Sequence, residues 1–496
     1  MDVIYATSEL DEWIEVAKNM QRQMQWTPVY WVTSPKNDHK IQKNFSETIR
    51  QGYINAVRGK YTDIVGQDFS KTLDADILEQ YCYYEKISIK MMDRMDPTIY
   101  GFNVSERTQL YYDFLHYWIN VLPILNPDYV IFSESPHGLF HYILYAVCVE
   151  NNVKILRFVP THIEGLTYLS STIEKTPDYL EINYDKVLNV NYEETFPIAN
   201  RYLKKNRGTY ENALPYYMKD ITATKSVGEN IRNYWLKGRR FFTNKIYTAY
   251  KRGRSYDISE NSISKYDYLM YRIQGTLRKR YLREEYDGLS TSVDFSESYI
   301  YVALHYQPEK TTSPEGGVFT DQWLMVLMLS TMAPKGWKIY VKEHISQFSN
   351  KLYGEQGRDP SFYKKVATLK NVVLVNSDVN TFDLIDQARA VATVTGTVGL
   401  EAVIRGKHAL IFGHAWYMEC EGVFDIKNHK DLNRAIAQLE LGESIENHKV
   451  DSFLYVIESV SFPTYLNPGN KVGVSLDAIQ NINNLTACLL KYSNKV

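Results

Sequence analysis

The chain has 496 residues, 44% hydrophobic and 23% charged, with a formal net charge of −2. Those values exclude a disordered or fibrous chain and fit a globular protein too long for one comfortable core. Four cysteines, Cys82, Cys148, Cys420 and Cys488, stand far apart with no C-x-x-C spacing, which argues against a disulfide framework or a zinc site and fits reduced thiols.

The opening stretch, MDVIYATSELDEW, carries acids where a signal peptide would carry Lys or Arg. No apolar run approaches the roughly 20 residues of a membrane span, so a cytoplasmic protein is expected. Residues 3–6 and 29–32 read as buried strands with a helix over 9–24 between them. A clearer unit follows: strand 129–132, loop 133–137, helix 139–151 and strand 154–159. This is a βαβ unit, whose crossover should be right-handed.

Residues 232–283 differ in character. They hold 14 Lys or Arg against three acids, with Tyr, Phe and Trp interleaved. Such a stretch is either a solvated helical insertion or a surface for anionic lipid headgroups, where each basic residue gains roughly 1 kcal/mol. No nucleic-acid-binding module surrounds it, so nucleic acid is not the expected partner. The 41 tyrosines of the chain are read as composition.

From residue 299 the α/β alternation resumes. Strands fall at 300–304, 337–341, 372–375, 390–394 and 408–412, with helices at 321–332, 382–388 and 398–404 between them. Repeats of this kind make a parallel, doubly wound sheet whose strand ends face a ligand crevice. A final helix over 476–490 has Ser475 as its N-cap and is expected to pack across a domain junction.

The chemistry-bearing residues cluster at these strand ends. The run Ala392-Thr-Val-Thr-Gly-Thr-Val-Gly-Leu-Glu401 closes a strand and opens a helix. Its helix start places Thr395, Gly396 and Thr397 where amide groups and hydroxyls favour a phosphate. Glu401, a turn later, suits ribose hydroxyls. The strand ending in Lys342-Glu343-His344 offers cations to a nucleotide phosphate, and Leu304-His-Tyr-Gln-Pro-Glu-Lys310 leads into a Gly/Pro/hydroxyl loop. In the N-terminal half, Glu134 and His137 follow one strand and His162 and Glu164 another. Any of these carboxylates suits action on an acceptor hydroxyl or an anomeric carbon.

Together these strings resemble the bacterial capsule polysaccharide biosynthesis family, which includes β-Kdo transferases. Gln307 stands for its Q-x-x-x-D strand end, and Lys342-Glu343-His344 for K-x-H-P. Thr395-Gly-Thr-Val-Gly-Leu-Glu401-Ala with Gly406-Lys407 stands for S-x-x-G-x-E-A-x-x-x-G-K. Phe412-Gly-His-Ala-Trp-Tyr417 looks like F-G-x-x-x-Y, and Ile163-Glu-Gly-Leu-Thr-Tyr-Leu-Ser170 like the N-terminal E-D-G-F-x-x-S. Ile345 replaces the family's proline, and Glu164 stands alone where the family shows an acidic pair.

The resemblance implies a GT-B glycosyltransferase without an obligatory metal or other cofactor. Its donor would be a CMP-linked ulosonic acid, Kdo or a sialic-acid-like sugar, and its acceptor a surface saccharide or glycolipid. Expected donor contacts are Gln307, Lys342, His344, Thr395, Gly396, Thr397, Glu401 and Tyr417. Glu164 is the first choice as catalytic carboxylate, with Glu134 and His137 behind it.

The expected fold is α/β, two facing Rossmann-like domains. Residues 1–190 form the acceptor side, 191–295 a basic helical insertion, 296–470 the donor domain and 471–496 the junction helix. The rival functions are a UDP-sugar transferase, an epimerase of the same fold, and a scaffold of a polysaccharide assembly complex that has lost its site. An anionic membrane surface is a further expected partner, through 232–283.

Overall fold

The computed structural model describes residues 1–64, 69–96, 102–180, 192–209, 246–247, 262–263, 265–349, 352–469, 471, 474–493 and 495. The central strands of its N-terminal sheet are short and apolar because helices cover both faces of the sheet. Strand β4, Tyr129–Phe132, reads YVIF and is buried at all four positions. It pairs in parallel with β1, Asp2–Ala6, and with β5, Lys154–Pro160. Outside β1 lie β2, Thr27–Thr33, and β3, Ile49–Gly52, both parallel. Strand β6, Leu166–Ser170, runs antiparallel to β5. The order 3-2-1-4-5 reverses between β1 and β4, and such a reversal opens a crevice at the strand C-termini.

The second sheet repeats this logic with six parallel strands. They are β7, Tyr299–Ala303; β8, Lys338–Lys342; β9, Val372–Leu374; β10, Ala390–Thr393; β11, His408–Ile411; and β12, Val423–Asp425. Their order is β9-β8-β7-β10-β11-β12, so here the reversal falls between β7 and β10. The expected pair of doubly wound α/β domains is present, with the strand-end loops of both sheets lining one cleft.

Three domain expectations change. The last strand, β13 (Phe462–Pro463), pairs antiparallel with β6, so the chain has returned to the N-terminal domain before residue 470. The final helix, Ala478–Tyr492, does not cross the junction. Its Leu485, Cys488, Leu489 and Tyr492 complete the core around Val3, Trp13 and Met20, and Asp477, not Ser475, caps it through a capping box. The junction is instead sealed by the helices Pro197–Asn206 and Asn447–Val460. They share an apolar cluster with Val159 and Leu166 of one domain and Leu400 and Val403 of the other.

Much of the basic stretch 232–283 lies outside the described residues. Its end belongs to the helix Lys265–Leu289, whose Leu282 and Tyr286 are buried in the C-terminal core. That helix is therefore part of the second domain, not an insertion between domains. Many tyrosines are core residues too: Tyr5 stacks on Trp31 at 4.4 Å, and the hydroxyls of Tyr30 and Tyr117 pair at 2.9 Å. A buried Tyr hydroxyl usually finds such a partner; the Tyr5 hydroxyl has none among the described residues. No described helix is long and apolar enough to cross a membrane.

Candidate active site

The C-terminal wall of the cleft is the loop between β10 and the helix Val398–Ile404. The Thr395 N–H donates to His305 Nε2 at 3.1 Å, and the Thr393 hydroxyl lies 3.0 Å from the same nitrogen. His305 enters directly after β7, the adjacent strand, and its Nδ1 lies 3.2 Å from the Glu309 carboxylate. An Nε2 that accepts from an amide leaves the ring proton on Nδ1, facing Glu309.

A Cβ on Gly396 would meet Thr393 Oγ1 at 2.9 Å and the His305 ring at 3.2 Å, so the loop's close approach to these two side chains favours glycine here. From beneath, the fully buried Tyr417 donates its hydroxyl to the Gly396 carbonyl. The following helix has seven residues, so its dipole is small. The threonine hydroxyls carry more of the polarity.

The N-terminal wall is built after β4 and along β5. Glu134 accepts from Asn467 Nδ2 at 3.0 Å. Burial raises its carboxyl above the usual range, against the opposing pull of Lys310. His137 Nε2 lies 3.9 Å from the same carboxylate. Burial and the neighbouring Arg94, Lys310 and Arg157 hold its imidazole neutral, well below the ordinary histidine range. Arg94 spans the cleft, donating to the His137 carbonyl at 2.7 Å, the Glu309 carbonyl at 2.9 Å and the Ser313 carbonyl at 3.2 Å. One guanidinium thus ties a loop of each domain to the other.

Between the walls lies a cavity of about 560 Å³, lined by Glu134, His137 and Arg157 on one side and Thr395, Thr397 and Trp416 on the other. Four of its lining residues carry a buried polar atom with no hydrogen-bond partner among the described residues: His137 Nδ1, Arg157 Nε, Thr395 Oγ1 and Trp416 Nε1. Buried polar groups are normally satisfied. Their convergence on one cavity is the pattern of a ligand site. His414, also on the wall, is pushed down to about 3 by burial and by Lys427 and Arg157.

The site residues expected from sequence divide into two groups. Glu134, His137, Thr395 and Thr397 come together on the cavity, with Gly396 between the two threonines. Glu164 does not. The turn at His162 (φ 61°) and Glu164 (φ 44°) sends His162 into the cavity and Glu164 outward, into a half-exposed ion pair with Arg201 at 2.5 Å. Its role as first-choice carboxylate is withdrawn.

Gln307 is buried and donates to Thr312 Oγ1 at 2.6 Å, which makes it a loop strut. Lys342 donates to the Val379 carbonyl and to Thr381 Oγ1. His344 Nδ1 caps the short turn at Ser346, at 3.2 Å. Glu343, between those two, forms a fully buried ion pair with Arg358 at 2.9 Å. Tyr417 and Glu401 lie under the loop; burial lifts Glu401 to about 7, and the Thr397 hydroxyl donates to it at 3.2 Å. None of Gln307, Lys342, His344, Glu401 and Tyr417 lines the cavity.

Arg157, Glu315 and Trp416 were not singled out from sequence. An arginine inside the apolar strand KILRFVP was the available signal, since a buried charge there needs a reason. Among the described residues no group of three or more His, Cys, Asp or Glu is placed to hold a metal ion.

Residues 313–443 match the family model of capsule polysaccharide biosynthesis proteins. The match covers the strings from Lys342 to Tyr417 on which the resemblance was read, while Gln307 and Ile163–Ser170 lie outside it. No curated protein sequence matches the chain. Among solved structures it is similar to the β-Kdo 2,7-transferase KpsC of Thermosulfurimonas dismutans, with 13% identity and a TM-score of 0.32 over 75% of this chain and 89% of that one. The β-Kdo 2,4-transferase KpsC of the same organism gives 11% and 0.31, over 73% and 87%. The UDP-GlcNAc 2-epimerase of Methanocaldococcus jannaschii gives 10% and 0.25, over 92% and 99%.

Proposed function

We propose that the chain is a glycosyltransferase of capsule polysaccharide synthesis, with a nucleotide-sugar donor seated between its two domains. The observation that carries this reading is the cavity itself. It lies at the C-terminal strand edges of two doubly wound sheets and joins a carboxylate of raised proton affinity, Glu134, to the hydroxyl-rich Thr395–Thr397 turn.

Each part has a task in glycosyl transfer. The Thr395 hydroxyl donates to the phosphate of the donor, whose leaving-group charge grows as the glycosidic bond breaks. His305 and Tyr417 fix that turn from behind. Glu134 takes the proton of the acceptor hydroxyl, and its raised proton affinity brings it closer to the working pH of a base. The donor we favour is a CMP-linked ulosonic acid, with a surface saccharide or glycolipid as acceptor. The basic segment 232–283 would hold the enzyme near an anionic membrane.

A thermal-shift series with CMP, UDP and GDP separates the donor classes, because only a ligand bound by the native state raises Tm. Stabilisation by CMP alone supports the ulosonic acid donor. Stabilisation by UDP alone moves the reading to a UDP-sugar transferase or epimerase. No response to any of the three, with no donor hydrolysis, leaves a non-catalytic scaffold.

A further inference from the structure

Arg157 sits on β5 with only 4% of its surface exposed, between the buried apolar residues Ile155, Leu156, Phe158 and Val159. Its fork is incompletely used. One terminal nitrogen donates to Ser135 Oγ at 2.8 Å, the other to the Thr172 carbonyl at 2.6 Å, and Nε has no partner among the described residues. A desolvated guanidinium needs a counter-charge. Among the described residues its ion-pair partner is Glu315, 3.6 Å away, which also accepts from the Ser135 hydroxyl.

Glu315 belongs to the other domain. Its own carbonyl accepts from the His414 N–H at 2.8 Å, which fixes its backbone to the C-terminal wall while its side chain reaches across the cavity. Burial raises its carboxyl against the opposing pull of Arg157 and Ser135, and the nearby carboxylates Glu309 and Glu134 add to the rise. The contact therefore pairs a carboxylate anchored in one domain with an arginine of the other whose fork is not fully used, at the wall of a cavity large enough for a ligand.

We propose that Arg157 and Ser135 form an anion subsite on the N-terminal wall, which receives a carboxylate or phosphate of the substrate in exchange for the Glu315 carboxylate that contacts both residues in this structure. Arginine suits this role because its planar fork binds either group bidentately once the competitor moves aside. The proposal rests on the cleft being the substrate site, and it concerns the wall opposite the threonine turn. The two walls can therefore be tested separately.

The probes are acetate and inorganic phosphate, each titrated by calorimetry at fixed ionic strength. Glu315→Gln removes the internal competitor and keeps its shape, so it should bind one of the two anions at least 10-fold more tightly than the unmodified protein. Adding Arg157→Gln, or the milder Arg157→Lys, should cancel that gain. A response to acetate alone makes the ligand group a carboxylate, and a response to phosphate alone makes it a phosphate. If Glu315→Gln binds neither anion more tightly, or keeps its gain when Arg157 is replaced by Lys, the subsite does not exist. CMP and UDP affinity, read in the same variants, reports on the donor turn. Loss of nucleotide binding with the anion gain intact would count against the glycosyltransferase reading and leave the subsite standing.

Discussion

Glu134 and Glu164 show how a single turn decides between two carboxylates of the same type. Both follow strand ends, but only Glu134 faces the cavity. Replacement of Glu134 by Gln should cut turnover at least about 100-fold, the lower end for removal of an acid–base group. Nucleotide binding should be unchanged, and Glu164→Gln should retain full turnover. In the parent enzyme a base must be ionised, so activity should fall as pH drops through the raised Glu134 titration. Loss of activity in Glu164→Gln alone would reverse the two roles.

Glu401 offers a stability test. Its carboxyl is lifted from 4.5 to about 7 by burial beneath the Thr397 turn. Between those values the native state binds the proton that the unfolded chain has released, so stability falls as pH rises across the window. A shift of that size corresponds to a penalty on the order of 3 kcal/mol at pH 8. Glu401→Gln should be close to the parent protein at pH 4.5 and more stable at pH 8, as thermal unfolding at the two pH values will show. Equal pH dependence in both proteins would place the carboxylate in water.

At the scale of elements, much of the architecture could be read in advance. Strands β4, β5, β7, β10 and β11 are apolar runs bounded by turn residues, and periodicity finds such runs readily. Strand β3, IRQG, has no such run and was not anticipated; it forms because β2 offers a parallel edge, a tertiary effect invisible locally. The fate of the last helix was hidden for a similar reason. Its amphipathic pattern says that one face is buried, but not against which domain. Likewise the strand ends showed where polar residues gather, while the direction of each side chain depended on local turns such as that at His162 and Glu164.

The last helix gives this lesson a measurable form. Leu489 is fully buried against the helix Glu12–Met24 and β1. Truncating it to Ala should cost about 2–5 kcal/mol of stability, seen as a lower Tm with nucleotide affinity unchanged below the transition. A helix wedged across the junction would instead alter nucleotide affinity as well.

At the scale of the whole molecule, two sheets with reversed strand order present their C-terminal edges to one cavity. Besides the apolar cluster at the junction, polar contacts join them: Arg94 to the 309–313 loop, and Glu315 to Ser135 and Arg157 on the cavity wall. The central claim is that this cavity seats a nucleotide sugar with its phosphate on the Thr395–Thr397 turn. The most direct measurement is a crystal structure of the protein grown with CMP or UDP. The phosphate should lie at about 2.7–3.2 Å from a hydroxyl of that turn, with Glu134 facing the open side of the ligand. A nucleotide bound outside the cavity, against Lys342 and His344 for example, would contradict it.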